Sequence, residues 1–254
     1  MELNTLLQYK PYSTARTEKR ALYAGLLTGL TQFHREHCPE YGRLLDALGC
    51  PAHMDCTVES TPMLPVSLFK ELELRSIPEG EVFKTITSSG TTGQRVSRIF
   101  LDGATSACQQ QALCQIMSDF LGERRLPFLV LDSRQVLRNR AMFSARGAGI
   151  LGFSIFGTRP CYALDEHMEL DLDGVRAFLE EHQGETIFLF GFTFIIWKHV
   201  VRALEERGER LDIPNGILVH GGGWKKLAGE AVSPGEFKAR VAAATGVERV
   251  SNYY

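Results

Sequence analysis

Thr87-Ser88-Ser89-Gly90-Thr91-Thr92-Gly93-Gln94-Arg95 is the segment richest in chemistry. Its two glycines let the backbone turn tightly and approach a ligand with no Cβ in the way. Its hydroxyls and N–H groups are donors suited to phosphate oxygens. Hydrogen bonds to a charged group contribute about 1.5–3 kcal/mol each, so about three or four would hold a triphosphate. Arg95 and Arg98 place positive charge beside the loop. The competing reading is an ordinary polar hairpin turn. The loop is neither a Walker P-loop nor a dinucleotide fingerprint, because Gly-x-x-x-x-Gly-Lys-Ser/Thr and Gly-x-Gly-x-x-Gly are both absent from it.

A second segment, His220-Gly221-Gly222-Gly223-Trp224-Lys225-Lys226, follows the apolar run Ile217-Leu218-Val219. Glycines at the carboxyl end of a parallel strand lie where α/β sheets bind ligands, and they leave a flat slot for a planar base. The competing reading is a glycine-rich connection with Trp224 simply packing. His220 abuts the slot. His34, His37, His53, His167, His182 and His199 are scattered without metal-ligand spacing and read as surface or core residues. The third segment is Ser251-Asn252-Tyr253-Tyr254. No catalytic side chain is assigned beyond Arg95 and Arg98 as phosphate cations, and no metal ligand is assigned.

The elements that position these segments are legible from periodicity. Residues 13–48 are helical, with Leu22, Leu26, Leu27, Leu30 and Phe33 at helical spacing and Pro39 opening a second helix. Cys50 to Pro65 is an irregular connection with three prolines. Val82–Thr87 and Val96–Leu101 form a hairpin around the Gly/Ser/Thr loop, and residues 104–121 form a helix. Strands are expected at Phe128–Asp132, Phe153–Phe156, Thr186–Phe190, Gly216–His220 and Val247–Tyr253. Helices are expected at 141–151, 173–182 and 193–207, with one more starting at the capping box Ser233-Pro234-Gly235-Glu236. This alternation predicts an α/β fold with a largely parallel sheet flanked by helices. Residues 1–80 are expected to be a helical segment packed on the core, and residues 81–254 the nucleotide-binding α/β core.

Composition bounds the function. The 254 residues are 44% hydrophobic and 23% charged, which excludes disorder and a small disulfide scaffold. Lys plus Arg total 28 and Asp plus Glu 30, so a net charge of −2 gives no electrostatic case for nucleic acid. The six cysteines form no Cys-x-x-Cys pair. They read as reduced thiols, and with no signal peptide at Met1-Glu2-Leu3-Asn4 they predict a cytoplasmic protein. The longest apolar stretch, Thr186–Trp197, is interrupted by Gly191 and is shorter than the roughly 20 residues of a membrane span. It reads as a buried strand entering a helix.

The first loop resembles the phosphate loop of the adenylate-forming acyl-CoA synthetase and luciferase superfamily, Thr-Ser-Gly-Thr-Thr-Gly-x-Pro-Lys. Ser88 to Gly93 match it, while Arg95 and Val96 stand where proline and lysine are usual. Arg95 or Arg98 would have to replace the lysine. The superfamily also has a Gly-Gly segment lining adenine, where Gly221–Gly223 stand, and Asn-x-Tyr-Gly-x-Thr-Glu, whose start matches Asn252 and Tyr254. Three further features resemble more narrowly the acyl-protein synthetases of bacterial bioluminescence operons. They are Pro65-Val66-Ser67-Leu68-Phe69-Lys70, the run from Phe143-Ser144-Ala145-Arg146 to Phe153, and His-Gly-Gly-Gly-Trp-Lys-Lys.

This resemblance, over residues 60–254, implies the N-terminal large domain of an adenylate-forming enzyme. Such an enzyme uses ATP and Mg²⁺ to convert a fatty acid to its acyl-adenylate. It then passes the acyl group to a protein cysteine, with an acyl reductase as partner. The nucleotide would be held by Thr87, Ser88, Ser89, Gly90, Thr91, Thr92 and Gly93, by His220, Gly221, Gly222 and Gly223, and by Asn252, Tyr253 and Tyr254. The family's threonine, Mg²⁺-binding glutamate and acceptor cysteine would fall beyond residue 254. The core is therefore expected to be incomplete at its C-terminal end and inactive alone, with none of the six cysteines the acyl carrier. Two alternatives stay open: an acyl- or aryl-CoA ligase of the same superfamily, and a non-catalytic nucleotide-binding or partner-docking module.

Overall fold

In the computed structural model, which describes residues 3–87, 95–137 and 145–253, a proline makes the first break. Helix α1 (Arg16–His37) ends because Cys38 precedes Pro39, and the pre-proline residue is pushed to an extended conformation, here φ −127° and ψ 98°. Pro39 then opens α2 (Pro39–Ala47) at its first position, where the missing N–H costs nothing. The irregular stretch that follows is tied back to α1: Thr28 Oγ1 accepts the Cys56 N–H at 2.8 Å. A short helix α3 (Leu68–Glu71) leads to the antiparallel hairpin β1 (Lys84–Thr87) and β2 (Arg98–Leu101), in which Ile86 faces Ile99 and Thr87 faces Arg98. Helix α4 (Gly103–Leu121) follows, with the Asp102 carboxylate accepting the Thr105 N–H at 2.6 Å.

The chain divides into two units, Met1–Asp119 and Phe120–Tyr254. The hairpin and most of α4 fall in the first unit.

The second unit carries a five-stranded parallel sheet. Its elements are β3 (Leu126–Ser133), α5 (Ala145–Phe153), β4 (Gly157–Leu164), α6 (Leu172–Glu181), β5 (Ile187–Phe192), α7 (Thr193–Ile195), α8 (Arg202–Arg207), β6 (Gly216–Gly221), α9 (Pro234–Thr245) and β7 (Arg249–Tyr253). A π-helical segment, Ile196–Val201, joins α7 to α8. Spatial order is β4-β3-β5-β6-β7. The chain leaves β3 for β4 on one side and returns to β5 on the other. The strand order therefore reverses at β3, and the carboxyl ends of β3 and β5 form the crevice in which such sheets bind ligands.

Residues of β3, β5 and β6 are buried on both faces, which is why these strands read as continuous apolar runs. Alternation puts Phe188 and Phe190 on one face, where Phe188 stacks on Phe128 at 4.9 Å and Phe190 on Phe153 of α5 at 4.2 Å. Leu129, Leu131 and Leu189 point the other way, into a cluster with Trp197, Val200, Leu204, Phe237 and Val241. The apolar stretch from Thr186 is indeed a buried strand entering a helix, and among the described residues no helix is long and apolar enough to cross a membrane. At α9, Ser233 caps the helix, its Oγ accepting the Glu236 N–H at 3.1 Å.

One strand lies elsewhere than expected. Phe153–Phe156 is the last residue of α5 and a 3₁₀ turn, and the strand begins at Gly157. Short apolar runs do not distinguish helix ends from strands. The true strand β4 contains Pro160, which lacks the ladder donor and is tolerated because β4 is an edge strand. It also carries a bulge: Thr158 pairs with Pro127 and Cys161 with Leu129, with Arg159 at φ 47° in between.

Candidate functional site

Three strands end at one level. Phe192 of β5 is in register with Gly221 of β6, and Gly221 with Tyr253 of β7. At Gly221 a Cβ would lie 3.2 Å from the Tyr253 carbonyl oxygen. Gly222 has φ +72°, a left-handed conformation that glycine adopts without Cβ strain, and a Cβ there would lie 3.1 Å from Phe192 Cδ1. Around Gly223 nothing lies within 4 Å of such an atom. The turn after β6 is thus bare of side chains, open at Gly223 and closely approached by Phe192 at Gly222 and by the Tyr253 backbone at Gly221.

Beneath it, His220 is buried and points to the opposite face of the sheet, its ring centroid 4.7 Å from that of Phe237. Its Nδ1 lies 2.9 Å from Thr193 Oγ1. The same hydroxyl lies 2.8 Å from the Gly222 carbonyl oxygen and 3.2 Å from that of Gly221. Burial pushes the His220 pKa down to about 4, with the Lys238 charge adding to the shift, so the imidazole is neutral at pH 7.

Helix α5 borders the same crevice. The Asp132 carboxylate, 0% exposed near the end of β3, receives Arg146 Nε at 2.9 Å, and Arg146 Nη2 reaches its other oxygen. Asp132 also accepts the Ser133 N–H at 2.7 Å. Three residues on, a Cβ at Gly149 would come within 2.9 Å of Phe192 Cζ, so the absence of a side chain there lets α5 sit against the ring.

The structure therefore brings together His220, Gly221, Gly222 and Gly223 with Asn252 and Tyr253. Both of the last two are exposed, and the Tyr253 ring meets Phe153 edge-on at 5.0 Å. Tyr254 and the loop Ser88, Ser89, Gly90, Thr91, Thr92 and Gly93 lie outside the described residues. Thr87, Arg95 and Arg98 belong to the first unit. Thr87 ends β1, exposed. Arg95 pairs with Glu71 at 2.8 Å, and Arg98 lies 3.7 Å from Glu73 with its guanidinium 5.7 Å from the Phe100 ring centre.

Thr193 and Phe192 escaped the sequence reading. The available signal was a hydroxyl residue directly after a buried strand, where a helix begins. None of the six cysteines is in a disulfide, and burial, with the Asp171 charge adding, pushes Cys161 up to about 11, far from a thiolate at neutral pH. Among the described residues no group of three or more His, Cys, Asp or Glu side chains is placed to hold a metal ion. An open hollow lined by Asp165, Glu169, Asp171, Asp173 and Glu209, with Arg176 and Arg207, carries more negative than positive charge, which disfavours a triphosphate.

The family model described as acyl-protein synthetase, LuxE, matches residues 2–254. A curated relative, the long-chain-fatty-acid–luciferin-component ligase of Vibrio harveyi, is 22% identical over 233 residues, which are 89% of this chain and 59% of the relative. Two solved structures of 2-hydroxyisobutyryl-CoA ligase in complex with 2-HIB-AMP and CoA are also similar. The open conformation gives a TM-score of 0.61 at 15% identity, over 97% of this chain and 54% of that one. The thioesterification state gives 0.60 at 18%, over 94% and 49%. These two likenesses bear out the α/β fold with its parallel sheet. The chain spans little more than half the length of the curated relative and about half that of the ligase structures.

Proposed function

The chain belongs to the acyl-protein synthetase (LuxE) family, and from that premise we propose that it serves the ATP-dependent activation of a carboxylic acid to its acyl-adenylate, ahead of transfer to a protein thiol. The observation that carries the reading is the exposed Gly222–Gly223 turn at the carboxyl end of the parallel strand β6, with β5 between it and the strand at which the order reverses. The base lies at Gly221–Gly223, bordered by Phe192, Asn252 and Tyr253. The phosphates are assigned to Thr87 and the Ser88–Gly93 loop, with Tyr254 completing the set and residues 81–254 forming the nucleotide-binding core.

A carboxylate is a poor electrophile until one oxygen becomes a good leaving group, and AMP supplies that group. The reaction brings two anions together, so positioning and positive charge matter more than a general base. Arg95 and Arg98 follow the loop in sequence, and both already share carboxylates, Glu71 and Glu73. An arriving phosphate takes over from those partners. Mg²⁺, when bound, neutralises phosphate charge.

The name of the Vibrio harveyi relative supports a long-chain fatty acid as substrate, and the family's description supports a protein as the acceptor. A cysteine thiol of that protein and an acyl reductase as the onward partner complete the proposal. Six cysteines without a disulfide fit a cytoplasmic setting. The likeness to CoA ligase structures supports CoA as a second reading of the acceptor.

The test is calorimetry of the 254-residue chain with ATP, with and without Mg²⁺, and with tetradecanoyl sulfamoyl adenosine, a stable acyl-adenylate mimic. Both ligands should bind, the mimic more tightly because the acyl chain adds contacts. ATP binding with no gain from the acyl chain would favour a non-catalytic nucleotide module. No binding of either would overturn the proposal.

A further inference from the structure

We propose that Thr193 is a positioning residue of the nucleotide slot: its hydroxyl locks the left-handed Gly222 turn in the shape that receives the base, and His220 is the donor that orients that hydroxyl. The inference rests on the nucleotide reading above.

A glycine turn meets no Cβ strain but is easily deformed, because glycine has the largest choice of backbone conformations. Gly222 and Gly223 are exposed, so packing on their outer side does not hold them. The restraint comes from two consecutive residues of the β5–α7 junction. The Phe192 ring closes on the Cα side of Gly222, and Thr193 Oγ1 takes its carbonyl oxygen at 2.8 Å. Thr193 is buried, so water competes poorly for these bonds.

Proton counting fixes the direction of the chain of bonds. A hydroxyl has one proton to give, and carbonyl oxygens only accept. The Thr193 proton therefore goes to Gly222, with the Gly221 oxygen at 3.2 Å as the weaker sharer. The contact with His220 Nδ1 is then a hydrogen bond only if the imidazole donates it. All three contacts are compatible with one arrangement, the neutral Nδ1–H tautomer, and this tautomer is assigned from the network. Burial keeps the ring neutral, which leaves Nε2 without a proton.

A turn locked before the ligand arrives spares the cost of ordering it on binding. The effect belongs to the base, not to the phosphates, and that asymmetry is the readout.

The experiment compares Thr193→Val, Thr193→Ser and the unaltered 254-residue chain by calorimetry with ATP and with inorganic triphosphate. Valine keeps the shape and removes the donor, so ATP affinity should fall about tenfold, the scale of one hydrogen bond, with triphosphate affinity unchanged. Serine should restore most of the loss. Nitrogen-15 NMR of the histidine rings should show His220 as the Nδ1–H tautomer in the unaltered chain, a measurement that needs no variant to fold. Undiminished ATP affinity in folded Thr193→Val, equal loss of both ligands, or an Nε2–H tautomer would each overturn the assignment. Failure of the unaltered chain to bind ATP would instead overturn the nucleotide reading, while the tautomer still reports on the lock.

Discussion

His220 places a titratable ring where its charge is unwelcome, and the cost has a pH signature. Its pKa falls from 6.5 when unfolded to about 4 when folded, through burial first and the Lys238 charge second. Below pH 6.5 the unfolded chain binds a proton that the folded chain refuses. Stability attributable to this residue is thus full at neutral pH and lost as pH falls from 6.5 towards 4. Between pH 7 and pH 5 the loss should be about 2 kcal/mol. Urea denaturation of the unaltered chain and of His220→Gln at both pH values isolates this share, since the other groups titrate in both proteins. An acid loss no smaller in His220→Gln would contradict the assignment.

At the scale of elements, α5 matters through how it is anchored. Arg146, Gly149 and Phe153 fall on one face of the helix, and each meets the sheet: a guanidinium on Asp132, a bare Cα against Phe192, and a ring on Phe190. Asp132 is wholly buried, so removing its partner leaves an uncompensated charge. Arg146→Leu should cost about 3 kcal/mol in denaturant unfolding, and adding Asp132→Asn should recover part of that. A neutral Arg146→Leu, or simple additivity of the two changes, would show the pair to be incidental. Sequence reasoning found β3, β5 and β6 because buried parallel strands are unbroken apolar runs. It missed β4 because Pro160 and the bulge at Arg159 erase the alternating pattern of an edge strand. It saw the glycines of the slot but not Thr193, whose contacts lie 27 to 29 residues away. Those contacts exist only because β5 and β6 pair in parallel, Gly191 beside His220 and Phe192 beside Gly221. The Asp132–Arg146 pair was hidden for the same reason, since no periodicity links a strand end to the first turn of a helix.

For the molecule as a whole, a net charge of −2 supplies no field to gather anions, so any grip on phosphate is local. The nucleotide reading assigns the phosphates to Ser88–Gly93 and the base to Gly221–Gly223. The two assignments are separable with fragments of the ligand. Gly90→Val adds a branched side chain where the loop's backbone is meant to approach phosphate. It should weaken inorganic triphosphate and ATP at least about tenfold, the equivalent of losing one charged hydrogen bond, and leave adenosine untouched. Gly222→Ala acts on the other assignment. At φ +72° a Cβ brings backbone strain of roughly 1–2 kcal/mol, and Phe192 Cδ1 at 3.1 Å must also give way. Adenosine and ATP should weaken while triphosphate binds as before. Calorimetry with the three ligands on both variants gives a crossed pattern if each segment holds its own part of the nucleotide. A pattern in which either variant loses adenosine and triphosphate alike, with the protein still folded by circular dichroism, would mean that the two segments do not divide the ligand between them.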